Sequence, residues 1–201
     1  SYLYGNNGIA SGITEINSWE ANDWLTYSGE TGDNSQLYTY WNIEPATQTQ
    51  DIENHSWVGE YEDDNINIDV LRRYDYIIGR DDFVSVVGLN NGSSKSTSAT
   101  SLMASGYNGI TVGLTSGNHS RGTTTIEGAG RTKPDIVAPA SYTSYATPIV
   151  GAAAAMLLEV AETTPSLSDA SYSESIKAIL MAGATKDEFS SWDRTTSRPL
   201  D

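Results

Sequence analysis

The chain contains no cysteine and few basic residues. Among its 201 residues are 11 Lys and Arg against 26 Asp and Glu, which gives a formal net charge of −15 at pH 7. Without cysteine there is no disulfide framework, a composition compatible with a secreted, extracellular protein of bacterial type. A chain this acidic has no basic patch with which to neutralise phosphates, so nucleic acid is not an expected partner.

Long hydrophobic runs are also missing. The longest apolar stretch, residues 149–158, is rich in alanine and much shorter than the roughly 18 residues that a membrane-spanning helix needs. No membrane segment is therefore predicted, and no signal peptide is visible at Ser1. The length suits one domain with its own hydrophobic core.

Apolar residues recur at helical spacing in several segments. Residues 66–79 show this most clearly, because their apolar positions fall three and four residues apart. Gly79 is the predicted C-cap of that helix, and Pro165 is expected to stop a later one. The predicted helices are 20–28, 66–79, 144–162 and 172–182.

β-Branched and apolar runs between these helices predict strands. The runs 83–88 and 109–113 have the continuous apolar character of strands buried in a parallel sheet. Strands that alternate with helices indicate an α/β fold with a mostly parallel sheet. The predicted strands are 9–19 (a short strand followed by a turn), 37–43, 52–57, 83–88 and 109–113, with loops at 29–36 and 60–65 and a loop or edge hairpin at 116–130.

Residues 143–148 are the most informative segment of the chain. They read TSYATP and run into a stretch of small residues that predicts a tightly packed helix. A serine at the mouth of such a helix lies among free backbone N–H groups, at the positive end of the helix dipole. Ser144 is therefore a candidate nucleophile whose product carries a negative oxygen. The alternative is that Thr143 or Ser144 is an ordinary N-cap, and Pro148 within the first turn suits both interpretations.

This segment resembles the nucleophile motif of the subtilisin-like serine peptidases, the subtilases of peptidase family S8. That motif runs Gly-Thr-Ser-x-Ala-x-Pro, and residues 143–148 match all of it after the leading glycine, which is Tyr142 here. Upstream, residues 133–139 read KPDIVAP. They are similar to the family's Lys-Pro-Asp-hydrophobic-x-Ala-Pro-Gly block, with Ala140 in place of the glycine.

Further blocks follow in the family's order. Residues 54–59 (NHSWVG) resemble the strand that lines the substrate cleft, and residues 86–92 (VVGLNNG) resemble the strand and turn that carry the oxyanion-hole asparagine. Residues 110–113 (ITVG) match a Val-Gly strand of the family. Each block alone is weak, but their shared order makes chance similarity improbable. Without the resemblance, 86–92 would be a strand and a plain Asn-Gly turn, and 54–59 an ordinary sheet strand.

The resemblance implies a three-layer α/β sandwich with a mostly parallel central sheet, incomplete at the N-terminus. Residues 1–201 are then expected to be the C-terminal portion of a single subtilisin-like peptidase domain. The implied function is a serine endopeptidase that hydrolyses peptide bonds through an acyl-enzyme on Ser144. Asn90 and the backbone N–H of Ser144 would form the oxyanion hole. The implied residues for binding a polypeptide substrate as an added strand are Ser56, Trp57 and Gly59.

Two members of the family's Ser-His-Asp triad have no counterpart in the sequence. Nothing reads Asp-x-Gly after a hydrophobic run, and nothing reads His-Gly-Thr. The triad aspartate and histidine are therefore expected upstream of Ser1, and the chain alone is expected to be inactive or nearly so. His55 and His119 are interpreted as structural or surface residues. A rewired triad would need His119 within hydrogen-bond reach of Ser144 and a carboxylate behind it.

No metal site and no cofactor are predicted from the spacing of the residues. The acidic run Asp63-Asp64-Asn65 is a weak candidate for Ca²⁺, because many subtilases bind calcium, but it lacks EF-hand spacing. Only three residues separate Pro139 from Thr143, fewer than is usual in the family, so substrate specificity is not transferred. The alternative function is a catalytically inactive subtilase-fold module that binds peptides or partners. The oligomeric state stays open.

Overall fold

Four parallel strands form the central sheet of the protein. In the computed structural model, which describes residues 3–26, 35–39, 42–92, 102–124, 126–128 and 131–185, they pair in the order β1-β2-β3-β6. All three strand pairs are parallel. A separate antiparallel pair joins β4 to β5. The strands are β1 Ile52–His55, β2 Val84–Gly88, β3 Ile110–Leu114, β4 Gly122–Thr123, β5 Thr132–Lys133 and β6 Ile136–Ala138.

Helices cover both faces of this sheet, as the α/β sandwich requires. Along β2, Val84 and Val86 belong to one apolar cluster while Val87 belongs to the other, because successive side chains of a strand point to opposite faces. The helices are α1 Ala21–Leu25, α2 Asp64–Asp81, α3 Thr143–Thr163 and α4 Ser173–Gly183, with 3₁₀ turns at Met103–Ser105 and Pro165–Ser171. Helix α2 contributes to the cluster with Val87, and α3 and α4 contribute to the other. The predicted three-layer fold is confirmed.

Helix α3 approaches the sheet closely because small residues line its contact. A Cβ atom on Gly88 would lie 2.9 Å from Thr147 Oγ1, and one on Gly151 would lie 3.3 Å from Val86 Cγ2. By length and composition, α3 is the one helix of the described residues that could cross a membrane, with a mean hydropathy of 1.4. Half of that stretch is buried here, as in the core helix of a globular domain.

Two of the predicted strands are not present among the described residues. Residues 9–19 contain no strand, and Ile9 and Ile16 are exposed, so their apolar side chains gain no burial from strand pairing. In 37–43, residues 40–41 lie outside the described chain, and the rest contributes only an isolated bridge between Thr26 and Thr39. Tyr38 has a left-handed φ of 51°, which interrupts an extended run there.

Other boundaries also differ from the sequence prediction. Gly79 is not a C-cap, because α2 continues to Asp81 and ends at Asp82, whose φ of 54° is left-handed and whose N–H donates to the Ile78 carbonyl. The hairpin predicted within 116–130 is real, but its second strand, β5, lies just beyond that range. The loop predicted at 29–36 falls mostly outside the described residues.

Candidate active site

The segments that resemble subtilase motifs leave the same edge of the sheet. Since β1, β2, β3 and β6 are parallel and paired in register, their carboxyl ends lie side by side. Ser56 follows β1 directly, Asn90 follows β2 by two residues, and Ser144 lies shortly after β6. The carboxyl edge of a parallel sheet is the usual place for a site in an α/β fold.

Ser144 is the second residue of α3, not its N-cap. The cap is Tyr142, which has an extended φ of −138° and makes no side-chain cap bond, so the alternative that Thr143 or Ser144 caps the helix is wrong. Pro148 is the sixth residue of α3 and lies beyond the first turn, contrary to the prediction. Its missing N–H cannot bond to the Ser144 carbonyl, four residues earlier.

The first residue of α3 binds the loop that follows β2. Thr143 Oγ1 donates to the Leu89 carbonyl at 2.5 Å, and Thr143 N donates to Asn91 Oδ1 at 2.8 Å. Leu89 and Asn91 flank Asn90, and Thr143 precedes Ser144. Two side chains predicted to act together, Ser144 and Asn90, therefore belong to segments that hydrogen bonds hold against each other.

The side chains of Ser144 and Asn90 are both partly buried. Neither makes a hydrogen bond to another side chain or backbone group within the described ranges. The backbone of Asn90 is fixed, because its carbonyl accepts from Ser120 N at 2.9 Å. A rigid backbone with an uncommitted side chain suits a residue that must act on a bound substrate.

Two exposed tyrosines flank the nucleophile candidate. The rings of Tyr142 and Tyr145 meet edge to face, with centroids 5.7 Å apart and planes at 83°. The extended backbone at Tyr142 is open to any residue, so the glycine common at this position in the family is not needed for conformation. Only four residues join β6 to α3, and Tyr142 is the last of them.

The predicted cleft residues lie after β1, at the outer strand of the four-stranded sheet. Ser56 Oγ accepts from Asn54 Nδ2 at 2.8 Å, and Trp57 packs edge-on against His55 at 5.6 Å. A Cβ atom on Gly59 would lie 3.4 Å from Leu102 Cδ1, an ordinary van der Waals contact. These residues share the sheet edge with Asn90, but no hydrogen bond in the described part of the chain joins them to Ser144.

His55 is buried on the face of the sheet opposite α3. Its Nε2 lies 3.0 Å from Glu53 Oε2, and its ring contacts Trp24 and Tyr74 edge-on. Tyr74 belongs to α2, whereas Ile52, on the alternate face of the same strand, packs with the α3 cluster. His55 is therefore a structural residue that cannot reach the start of α3.

His119 is also a buried, structural residue. Its Nδ1 accepts from Leu114 N at 3.0 Å, and its Nε2 would lie 2.6 Å from a Cβ on Gly113. Gly113 alternates with Val112 and Leu114, which face α3, so the ring occupies the opposite face. Burial lowers the pKa of His119, and the nearby positive charge of Arg121 lowers it further. This placement gives no support to a rewired triad with Ser144.

The acidic run Asp63-Asp64-Asn65 lies at the start of helix α2. Asp63 caps α2 by accepting from Asn65 N at 2.9 Å. Among the described residues, no three His, Cys, Asp or Glu side chains are grouped so as to hold a metal ion. The weak Ca²⁺ assignment to Asp63-Asp64-Asn65 therefore finds no site geometry to support it.

The KPD block has a structural role that the sequence did not suggest. Lys133 is buried, and its Nζ donates to Asp135 Oδ2 at 2.8 Å. The same carboxylate oxygen accepts from Thr111 N at 2.8 Å, which ties the start of β6 to β3. Burial lowers the pKa of Lys133, and the adjacent carboxylate of Asp135 opposes that shift. This ion pair fixes the strand that leads to Ser144.

Asn91 is the residue of the site that motif comparison overlooked. In the sequence it is part of an Asn-Gly turn, and nothing local shows that its side chain meets a residue 52 positions away. One sequence signal was available: the first turn of α3 contains no acidic residue, and an asparagine oxygen elsewhere is a good acceptor for helix-start N–H groups.

Comparison with protein families shows which family the chain belongs to. No curated protein matches the chain. The model of the Subtilase family of peptidases, family S8, matches residues 18–196, which is most of the chain and includes all the segments gathered at this edge of the sheet. The chain therefore belongs to the subtilase family of serine peptidases.

Proposed function

We propose that this chain carries the nucleophile and oxyanion-binding part of a serine endopeptidase. The observation that supports this most directly is the bonding of Thr143 to Leu89 and Asn91, which brings the loop of Asn90 to the helix turn of Ser144. A nucleophile and an oxyanion donor must share one small volume, and these contacts supply the proximity.

In the proposed reaction, Ser144 Oγ attacks the scissile carbonyl carbon while a base takes its proton. The tetrahedral oxyanion accepts from Ser144 N and from the Asn90 amide, and it collapses to an acyl-enzyme as the base passes the proton to the leaving amine. Water then releases the acyl group. Loss of such an asparagine donor is known in subtilisin to raise the barrier by about 2.7–4 kcal/mol, and we expect a similar effect for Asn90.

The base is proposed to come from residues preceding Ser1. A serine hydroxyl is a poor nucleophile near neutral pH unless an imidazole accepts its proton. His55 and His119 both lie on the face of the sheet opposite α3, each held by another contact. With no imidazole at Ser144 from either residue, we expect little turnover by residues 1–201 alone.

The proposed substrate is an extended polypeptide. We place it along Ser56, Trp57 and Gly59, where its backbone would add to the sheet edge as a further strand. The connection between β6 and α3 is short and carries Tyr142. We therefore expect the preference for substrate side chains to differ from the one usual in the family.

A second function is a catalytically inactive module of the same fold that binds peptides. The observation in its favour is the position of both histidines away from Ser144. The two functions differ in one property, the reactivity of Ser144 when a base is available.

A fluorophosphonate probe tests this property, with imidazole added to the solution as an external base. We expect Ser144 to be labelled and the Ser144→Ala variant to remain unlabelled. Ser141→Ala is a matched control, because Ser141 is an exposed serine three residues earlier and should not affect labelling. Absence of labelling at Ser144, or equal labelling of the Ser144→Ala variant, would favour the inactive module.

A further inference from the structure

We infer that Asn91 is a positioning residue for Ser144: its carboxamide oxygen holds the first turn of α3, so that the Ser144 N–H points into the oxyanion site. This inference rests on the proposed peptidase function. It concerns a residue adjacent to the motif asparagine, with a different task.

The contact supplies what the helix start otherwise lacks. The first N–H groups of a helix have no partner within the helix, and Tyr142 offers no side-chain cap. Asn91 Oδ1 fills this role from another loop, accepting from Thr143 N at 2.8 Å and lying 3.2 Å from Thr143 Oγ1. Thr143 is thus held at two atoms, because its hydroxyl also bonds to Leu89.

Holding Thr143 determines where the next N–H points. The nitrogen of Ser144 is bonded to the carbonyl carbon of Thr143, so fixing the Thr143 backbone fixes the direction of the Ser144 N–H. That group is the backbone donor of the proposed oxyanion site. Hydrogen-bond donors that already point to the oxyanion position before the reaction begins are the main source of transition-state stabilisation at such a site. A displacement of the donor by about 1 Å can lower the rate a hundredfold.

The backbone of Asn91 is itself fixed by the loop after β3. Gly92 N donates to the Asn118 carbonyl at 2.9 Å, and Asn91 forms an isolated bridge with His119. Gly92 has a φ of 103°, a left-handed value that glycine adopts readily. The carboxamide is therefore presented to α3 by a rigid turn, as a positioning residue requires.

The test compares Asn91→Leu, which removes the acceptor, with Asn91→Gln, which keeps a neutral carboxamide. Three quantities are measured: hydrogen exchange of the Thr143 amide, the labelling rate of Ser144 with imidazole present, and the Kd of a substrate-like peptide with a reduced scissile bond. We expect Asn91→Leu to lose the exchange protection of Thr143 and to slow labelling by about 10- to 100-fold, with an unchanged peptide Kd. Asn91→Gln should recover part of the rate.

A merely structural role would weaken peptide binding, or lower the protection of core amides on β2, in parallel with the labelling rate. Either that pattern, or full labelling after Thr143 protection is lost, would overturn the inference while leaving the proposed function intact. The Ser144→Ala variant separates the two ideas. If labelling never depends on Ser144, the proposed function fails, and the positioning role fails with it.

Discussion

The two faces of the central sheet are packed with different kinds of side chains. On the α3 face, glycines at 88 and 151 allow the helix to approach the strands closely. On the α2 face, the large rings of Trp24 and Tyr74 surround a buried polar pair, Glu53 and His55. The first face places the start of a helix at the sheet edge, where the Ser144 hydroxyl has no hydrogen bond to any other described residue. On the second, Glu53 and His55 hydrogen-bond to each other, so their side chains contribute to stability and are not available to react.

The largest expected effect is that of His55→Ala, which should lower the free energy of unfolding without changing the reactivity of Ser144. Replacing His55 by alanine removes one partner of a buried pair whose side chains are 7% and 8% exposed. Breaking such a pair costs about 3–5 kcal/mol, so the free energy of unfolding in urea should fall by that amount. The labelling rate of Ser144 per folded molecule should not change, because His55 lies on the α2 face.

Glu53→Gln is the milder control for this experiment. It keeps the shape of the side chain and one oxygen near His55 Nε2, so the loss of unfolding free energy should be smaller than for His55→Ala. If His55→Ala instead abolished labelling in protein that circular dichroism shows to be folded, the separation of the two faces would be wrong, and His55 would act on Ser144.

On the α3 face, a single methyl group should disturb both stability and reactivity. The Cβ of Gly88→Ala would meet Thr147 Oγ1 at 2.9 Å, closer than real Cβ contacts allow. Overpacking of this kind costs about 1–3 kcal/mol. Because Thr147 is one turn from Thr143, the shift should also move the start of α3, and we expect Ser144 labelling to slow in proportion.

Gly12→Ala is the matched glycine control, since a Cβ there meets nothing within 4 Å. It should leave both unfolding free energy and labelling close to wild type. Labelling at the full rate in a destabilised Gly88→Ala protein would show that α3 can retreat from the sheet without moving Ser144.

The sequence predicted the parts of the fold that depend on local pattern. The buried runs of β2 and β3 and the helical period of α2 and α3 are each specified by residues next to one another. The misses needed tertiary information. Residues 37–43 have strand composition, yet the backbone turns at Tyr38.

The same division applies to the candidate site. Ser144 and Asn90 stand in recognisable motifs, whereas the role of Asn91 depends on a contact across 52 residues. Likewise, His119 lies in a loop that looks polar in sequence, and only the missing side chain of Gly113 makes room for its ring. A contact between segments far apart in sequence, and a space left by a missing side chain, cannot be predicted from motifs or periodicity.

The smallest expected effect concerns His119. Its ring accepts a hydrogen bond from a backbone N–H, whereas the ring of His55 lies beside a carboxylate. Burial and Arg121 both lower the pKa of His119. The unfolded chain, with a histidine pKa near about 6.5, therefore binds more protons than the folded chain just below that pH. The stability that His119 contributes is present above about pH 6.5 and is lost as the pH falls through the lowered pKa.

His119→Asn isolates this contribution, because its Oδ1 can accept from Leu114 N as the imidazole Nδ1 does but does not titrate. Urea unfolding of both proteins between pH 5 and 8 should give a wild-type free energy that falls on acidification more steeply than the variant's. The difference in slope for one proton is at most about 1.4 kcal/mol per pH unit. Parallel curves would show that the ring is as easily protonated in the folded state as in the unfolded one, and so not packed beneath Gly113. The α2 face would then lack the dry surroundings that distinguish it from the face of Ser144.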